Sequence, residues 1–110
     1  MAIIYGTNAN DIINGTFQND EIYGLAGNDT VYGYNGSDFV DGGIGDDSIL
    51  GQAGNDTLSG NTGKDYLNGG YGDDTLYGGN DNDILNGSDG ADYMDGGDHN
   101  DTYYVDNIGD

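Results

Sequence analysis

The sequence predicts an all-β solenoid, with eighteen residues per coil and two parallel sheets of short strands facing each other across a narrow core. Three observations predict it. Glycine recurs every nine residues without a slip, at Gly6, Gly15, Gly24, Gly33, Gly42, Gly51, Gly60, Gly69, Gly78, Gly87 and Gly96. Five residues after each stands an aspartate: Asp11, Asp20, Asp29, Asp38, Asp47, Asp56, Asp65, Asp74, Asp83, Asp92 and Asp101. Two residues beyond each aspartate the side chain is large and mostly aliphatic: Ile13, Ile22, Val31, Val40, Ile49, Leu58, Leu67, Leu76, Leu85, Met94 and Tyr103. A turn residue, a carboxylate and an apolar residue repeated in one register mark a stacked architecture, because a single unit cannot bury its apolar face alone.

Within each unit, six turn-like residues precede three that can extend. The strand triplets therefore run over 12–14, 21–23, 30–32, 39–41, 48–50, 57–59, 66–68, 75–77, 84–86, 93–95 and 102–104. In a three-residue strand the central side chain points to one face and its neighbours to the other, so the aliphatic residue is buried and its flanks face out. Parallel pairing of consecutive strands needs a long crossover, so successive triplets belong to different sheets and pair with the triplet two units away. Two ladders follow: Ile13, Val31, Ile49, Leu67, Leu85 and Tyr103 in one sheet, Ile22, Val40, Leu58, Leu76 and Met94 in the other.

Units such as Gly42-Gly43-Ile44-Gly45-Asp46-Asp47-Ser48-Ile49 and Gly69-Gly70-Tyr71-Gly72-Asp73-Asp74-Thr75-Leu76 fit the pattern Gly-Gly-x-Gly-x-Asp-x-apolar at every defined position. On these motifs the chain resembles the RTX (hemolysin-type) calcium-binding repeat family over residues 5–103. The resemblance implies a right-handed parallel β-roll over 1–103 followed by an extended segment, 104–110. It also implies calcium between the turns, type I secretion and an extracellular location. Family members exported in that way usually continue into a capping region and an uncleaved export signal, and neither is recognisable in this sequence. The roll is thus expected to have an open strand edge, suited to end-to-end self-association or to an attached parent domain.

Composition points to the same class of partner. Twenty-one acidic residues face one lysine, Lys64, and no arginine, for a formal net charge of −20. Phosphate backbones and anionic lipid find no counter-charge here, so nucleic acid is excluded as a partner and cations are favoured. Low apolar content with high net charge would read as disorder if the period were ignored. The metal-free chain is accordingly expected to be unfolded or nearly so. There are no cysteines for disulfides or thiolate ligands, and no run approaches the ~18 apolar residues of a membrane span. The start, Met1-Ala2-Ile3-Ile4-Tyr5, lacks the basic and apolar regions of a secretory signal, so export by a cleaved N-terminal signal is not expected.

Glycines allow the turn to take positive φ and to bring carbonyl oxygens inward, and the aspartate at its end adds a carboxylate. Turns on one side of the roll lie one coil apart, so each gap is lined by carbonyls and two carboxylates. Six to eight hard oxygen donors in a flexible cage suit Ca²⁺ better than Mg²⁺, which demands a stricter octahedron. The backbone donors are expected from Gly24, Gly27, Gly33, Gly36, Gly42, Gly45, Gly51, Gly54, Gly60, Gly63, Gly69, Gly72 and Gly78. One edge carries Asp11, Asp29, Asp47, Asp65, Asp83 and Asp101, giving five gaps, and the other carries Asp20, Asp38, Asp56, Asp74 and Asp92, giving four. The ceiling is nine calcium ions, whose +18 nearly balances the chain's −20. The fourth turn position departs from glycine at Ala9, Gln18, Asp81 and His99, and the second glycine occurs only at Gly43, Gly70, Gly79 and Gly97. The central gaps, Asp29/Asp47, Asp47/Asp65, Asp38/Asp56 and Asp56/Asp74, are therefore expected to bind best and those of the first two units least.

Catalysis is not expected. The acidic pairs Asp46-Asp47 and Asp73-Asp74 are explained by the period, and His99, the single histidine, lacks a second titratable partner of different chemistry. Asn-x-Ser/Thr triplets are by-products of the repeat, no EF-hand loop spacing occurs, and the Thr7/Thr16 row is too short for an ice-binding face. Tyr23, Tyr32, Tyr66, Tyr77, Tyr93 and Tyr104 flank buried positions and should point outward, either covering neighbouring strands or forming a face for carbohydrate or protein. The functional expectation is a calcium-binding module that folds on meeting extracellular calcium, supporting secretion and stabilising an attached protein. The alternatives are an adhesion module with a tyrosine-bearing face and an accessory domain of a secreted enzyme.

Overall fold

The computed structural model describes residues 1–105. Those residues form twelve strands and no helix: β1 (Ile3–Tyr5), β2 (Ile12–Asn14), β3 (Glu21–Tyr23), β4 (Thr30–Tyr32), β5 (Phe39–Asp41), β6 (Ser48–Ala53), β7 (Thr57–Asn61), β8 (Tyr66–Tyr71), β9 (Thr75–Gly79), β10 (Ile84–Asp89), β11 (Tyr93–Gly97) and β12 (Thr102–Tyr104). Odd-numbered strands make one six-stranded sheet and even-numbered strands the other, each in order along the roll. Every pair is parallel and shifted by eighteen residues, as in Ile22↔Val40 and Ile49↔Leu67. The chain is thus a parallel β-solenoid of about six coils. Principal extents of 37 × 32 × 14 Å describe a flattened body, its thin dimension that of two sheets packed ~10 Å apart.

The core is the pair of aliphatic ladders. Ile22, Val31, Val40, Ile49, Leu58, Leu67, Leu76 and Leu85 are fully buried and Ile13 nearly so. Both ends differ from expectation. Ile4 pairs with Ile22 and packs on the core, adding a strand before the first glycine; its in-phase spacing of nine from Ile13 was the available signal. Tyr103 sits in register with Leu85, yet it is 46 % exposed, since among the described residues no coil packs on its outer side.

The turns also depart from the simple division into six turn residues and three extended ones. From β6 to β11 the strands run through the glycine into the turn, and pairs such as Gln52↔Gly70 and Asn61↔Gly79 continue the ladder. Nearer the N-terminus the same region pairs through the bridges Ala26↔Ile44 and Asn35↔Ala53. Stacking of identical turns explains this, since a turn repeated at one strand spacing meets its own donors and acceptors on the next coil. The last segment of the extended stretch expected over 104–110 lies outside the described residues beyond Val105.

Candidate metal centre

The glycines divide into two kinds. Left-handed φ falls at the second turn position, as at Gly43 (88°), Gly70 (96°) and Gly97 (80°), and at the fourth, as at Gly45 (126°) and Gly54 (127°). Leu25, Tyr34, Gln52, Asn61 and Ser88 take the same left-handed conformation at the second position without being glycine, and Asp81 and His99 do so at the fourth. The eleven period-setting glycines do not use positive φ at all. They are glycine for a different reason, which is space. A Cβ on Gly24 would lie 2.5 Å from the Gly42 carbonyl oxygen and 2.8 Å from Asp29 Oδ2, and one on Gly33 would meet Gly51 O at 2.7 Å and Asp38 Oδ2 at 2.8 Å. A carboxylate oxygen from one coil and a carbonyl oxygen from the next therefore converge on each of these points. A side chain at these positions would therefore collide with both oxygens, which is why glycine is required there.

The aspartates supply the anionic half of that arrangement. Asp20, Asp29, Asp38, Asp47, Asp56, Asp65, Asp74, Asp83 and Asp92 are all at most 3 % exposed, whereas Asp11 and Asp101 at the two ends are partly exposed. From Asp29 to Asp101 each Oδ1 accepts the backbone N–H of the aspartate one coil earlier, while Asp20 Oδ1 accepts that of Ala2 and Asp11 Oδ1 the Thr7 hydroxyl. One edge runs Asp11 to Asp29 to Asp47 to Asp65 to Asp83 to Asp101, every bond 2.8 Å. The other runs Ala2 to Asp20 to Asp38 to Asp56 to Asp74 to Asp92 at 2.8–2.9 Å. Oδ2 is different: in Asp29, Asp38, Asp47, Asp56, Asp65, Asp74 and Asp83 it is buried with no hydrogen-bond donor. Leaving a charged oxygen in that condition costs several kcal/mol, a cost that either a bound proton or a neighbouring cation relieves.

Protonation reflects the same stress. Burial pushes the carboxyls of Asp38, Asp47, Asp56 and Asp83 up to about 6, Asp74 to about 7 and Asp65 to about 8. The Oδ1 hydrogen bonds pull downward, and carboxylates one coil away add to the rise. Asp29 is also raised, chiefly by burial.

The first two units solve the problem without a cation. Thr7 donates its N–H to Asp11 Oδ2 at 2.6 Å and its hydroxyl to the same carboxylate at 2.9 Å, and Thr16 treats Asp20 likewise at 2.7–2.9 Å. Burial raises the Asp20 carboxyl, but the Thr16 donors, together with the Ala2 N–H and the N-terminal ammonium, leave the group below its ordinary value. These are the units whose turns lack the second and fourth glycines.

No three His, Cys, Asp or Glu side chains cluster as a metal site among the described residues. The residues present fit a hard divalent cation: the available donors are oxygens, and the buried Oδ2 atom of each of the seven carboxylates named above has no hydrogen-bond donor.

One feature of the turns escaped the sequence reading. The residue before each aspartate forms a second ladder, running opposite to the first. Asn10, Asn28 and Asp46 accept the N–H groups of Asn28, Asp46 and Lys64 on one edge, at 2.7–2.9 Å. Asn19, Ser37, Asn55 and Asp73 accept those of Ser37, Asn55, Asp73 and Ala91 on the other, at 2.7–3.3 Å. Asp46 and Asp73 are thus exposed turn acceptors. The signal was the recurrence of short polar residues at that position, broken only by Lys64 and Ala91. Aromatic residues flanking the core positions meet one another: Tyr5 stacks on Tyr23 at 5.3 Å, Tyr23 contacts Phe39 at 6.0 Å and Tyr77 contacts Tyr93 at 6.1 Å.

A family model described as the RTX calcium-binding nonapeptide repeat matches residues 5–40, 32–67, 41–76, 50–85 and 77–107, which together span nearly the whole chain. A search of curated proteins finds no match. The repeat is a structural one and not a catalytic domain. With its coil length, sheet order and oxygen-lined turns in agreement, the chain belongs to the RTX calcium-binding nonapeptide repeat family.

Proposed function

We propose that this chain is a calcium-dependent folding module that is unstructured where calcium is scarce and closes into its roll where calcium is abundant. The observation that carries this reading is the set of seven buried Oδ2 atoms without donors. Repulsion among them opposes the fold until a cation bridges successive turns, so binding free energy becomes folding free energy. Asp29, Asp38, Asp47, Asp56, Asp65, Asp74, Asp83, Asp92 and Asp101 supply carboxylates, and turn carbonyls such as those of Gly42, Gly51, Gly69 and Gly96 complete the sets. Asp11 and Asp20, held by Thr7 and Thr16, are the weakest ligands. Up to nine ions are accommodated, with fewer where these threonines already serve the carboxylates.

Extracellular modules bind calcium at ~10⁻⁴–10⁻³ M, so such a chain would stay unfolded during export and fold outside the cell, stabilising whatever it is attached to. Equilibrium dialysis with metal analysis tests the stoichiometry. Six to nine ions per chain are expected, and one ion or none contradicts the reading.

A second reading, a saccharide-binding face, is favoured by a shallow 280 Å³ cleft lined by Leu50, Gln52, Asn68, Tyr71 and Asp89. An exposed tyrosine beside amides and a carboxylate suits a neutral sugar. Calorimetric titration of the calcium-loaded chain with maltose and cellobiose tests it, and absence of heat for both disfavours it.

A further inference from the structure

We propose that the outer face of the sheet formed by the odd-numbered strands docks a basic, extended peptide segment of a protein partner, through two aromatic–carboxylate stations three coils apart. The stations share residue types, register and ring geometry. In the first, Tyr23 on β3 stands opposite Asp41 on β5, and its ring lies 6.0 Å from that of Phe39 at an interplanar angle of 57°. In the second, three coils further along, Tyr77 on β9 stands opposite Asp95 on β11, and its ring lies 6.1 Å from that of Tyr93 at 61°. All four rings flank the inward-pointing residue of their strand, and Phe39 and Tyr77, each with a coil on either side, remain 37 % and 41 % exposed. Cross-strand packing accounts for ring meeting ring, but not for the aspartate that both tyrosines face in the same register. Between the stations the outward residues are small: Thr57 and Ser59 on β7, and Thr75, which pairs with Thr57. A low floor of hydroxyls thus separates two raised aromatic pairs.

Charge selects the occupant. From β3 to β11 the outward strand residues of this face include Glu21, Asp41 and Asp95 and no basic residue, and the chain's one lysine, Lys64, lies in the turn between β7 and β8. Glu21 Oε1 accepts the Tyr23 hydroxyl at 3.0 Å, Asp41 Oδ1 accepts the Asn61 amide, and Asp95 Oδ1 accepts the Gly97 N–H at 3.0 Å. Each carboxylate thus has one oxygen engaged and a second to offer. A ring face beside a carboxylate suits a guanidinium, which stacks on the one and donates to the other. A neutral sugar would use the rings and leave the anions without a purpose, and a nucleic acid would be repelled by them. Spacing adds a constraint. Three coils at ~4.8 Å put the stations ~14 Å apart, and four residues of extended peptide at ~3.4 Å each span the same distance with side chains i and i+4 on one side. The segment therefore lies along the roll axis, across the strands, with arginines four residues apart. This face is separate from the cleft at Leu50 and Asn68, which belong to the other sheet.

An NMR titration of the calcium-loaded chain tests the docking face, with the end-blocked peptides Arg-Ser-Ser-Ser-Arg and Arg-Ser-Ser-Arg-Ser, which share one composition and one charge. The first is expected to shift the signals of Tyr23, Phe39, Tyr77 and Tyr93 together. It should also bind several-fold more tightly than the second, whose arginines point to opposite sides when extended. Tyr23→Ala combined with Tyr77→Ala leaves the charge unaltered and should weaken binding of the first peptide about tenfold, the scale of two exposed cation–π contacts. Asp41→Asn combined with Asp95→Asn keeps the rings and should weaken it as well. Circular dichroism in calcium checks that each variant keeps its β structure, and if the tyrosine pair fails that check the aspartate pair decides alone. Equal affinity for the two peptides and for both variants would show attraction to an acidic chain at large and overturn the face. Binding of cellohexaose at these rings, with no response to either peptide, would overturn it in favour of a saccharide.

Discussion

Asp56 represents the interior carboxylates. Its Oδ1 accepts Asp38 N–H at 2.8 Å, while its Oδ2 is buried without a donor and shares the space beside Gly51 with the Gly69 carbonyl oxygen. Replacing it by asparagine keeps the Oδ1 acceptor and removes the anion. Asp56→Asn should therefore raise the calcium concentration at the folding midpoint about tenfold or more, since a charge-assisted contact is worth ~1.5–3 kcal/mol. Asp11→Asn should change it little, because Thr7 already serves that carboxylate. Circular dichroism titrations of the two variants decide the matter, and equal shifts would refute the distinction. The positions of these aspartates were legible in the sequence from their spacing alone. The split between Oδ1 and Oδ2 was not, because the donor to Oδ1 lies eighteen residues away and only folding brings it there. The period-setting glycines were likewise visible, but their reason was not: a steric requirement imposed by Asp29 on Gly24 looks in sequence like a conformational one.

At the scale of the strand and turn, adjacent coils are joined by three kinds of bond: the β ladder, the aspartate ladder and the opposed ladder of the preceding polar residue. The aliphatic column fixed sheet membership in advance, because Val31 and Ile49 can share a dry face only if triplets two units apart pair. Strand lengths beyond three residues were illegible, since Gln52 and Asn61 carry no mark of pairing in sequence and gain partners only from the turn stacked on them. The polar ladder yields its own prediction. Asn28 Oδ1 accepts Asp46 N–H at 2.8 Å, so Asn28→Ala should destabilise the calcium-loaded roll by about 1 kcal/mol, the worth of one net hydrogen bond. Urea unfolding at saturating calcium measures this. No change would mean that solvent serves the exposed turn equally well.

For the molecule as a whole, the balance lies between a narrow aliphatic core and two columns of buried carboxylates. In the metal-free roll burial raises the interior carboxyls to about 6–8, above the ~3.9 of an unfolded chain. The folded form then binds more protons than the unfolded one. Its proton-linked stability is complete below about pH 4 and is lost as pH rises through 6 to 8. In chelator, acidification from pH 8 to 5 should therefore increase β structure, and a spectrum unaltered or less ordered at pH 5 would contradict this. With calcium bound the sign reverses, because protons compete for the ligands. The central claim is that cations, and not the core, close the roll. Far-UV circular dichroism during a calcium titration at neutral pH, with magnesium as control, tests it most directly: a cooperative coil-to-β transition for calcium alone is the predicted result, and full β structure in chelator would contradict it.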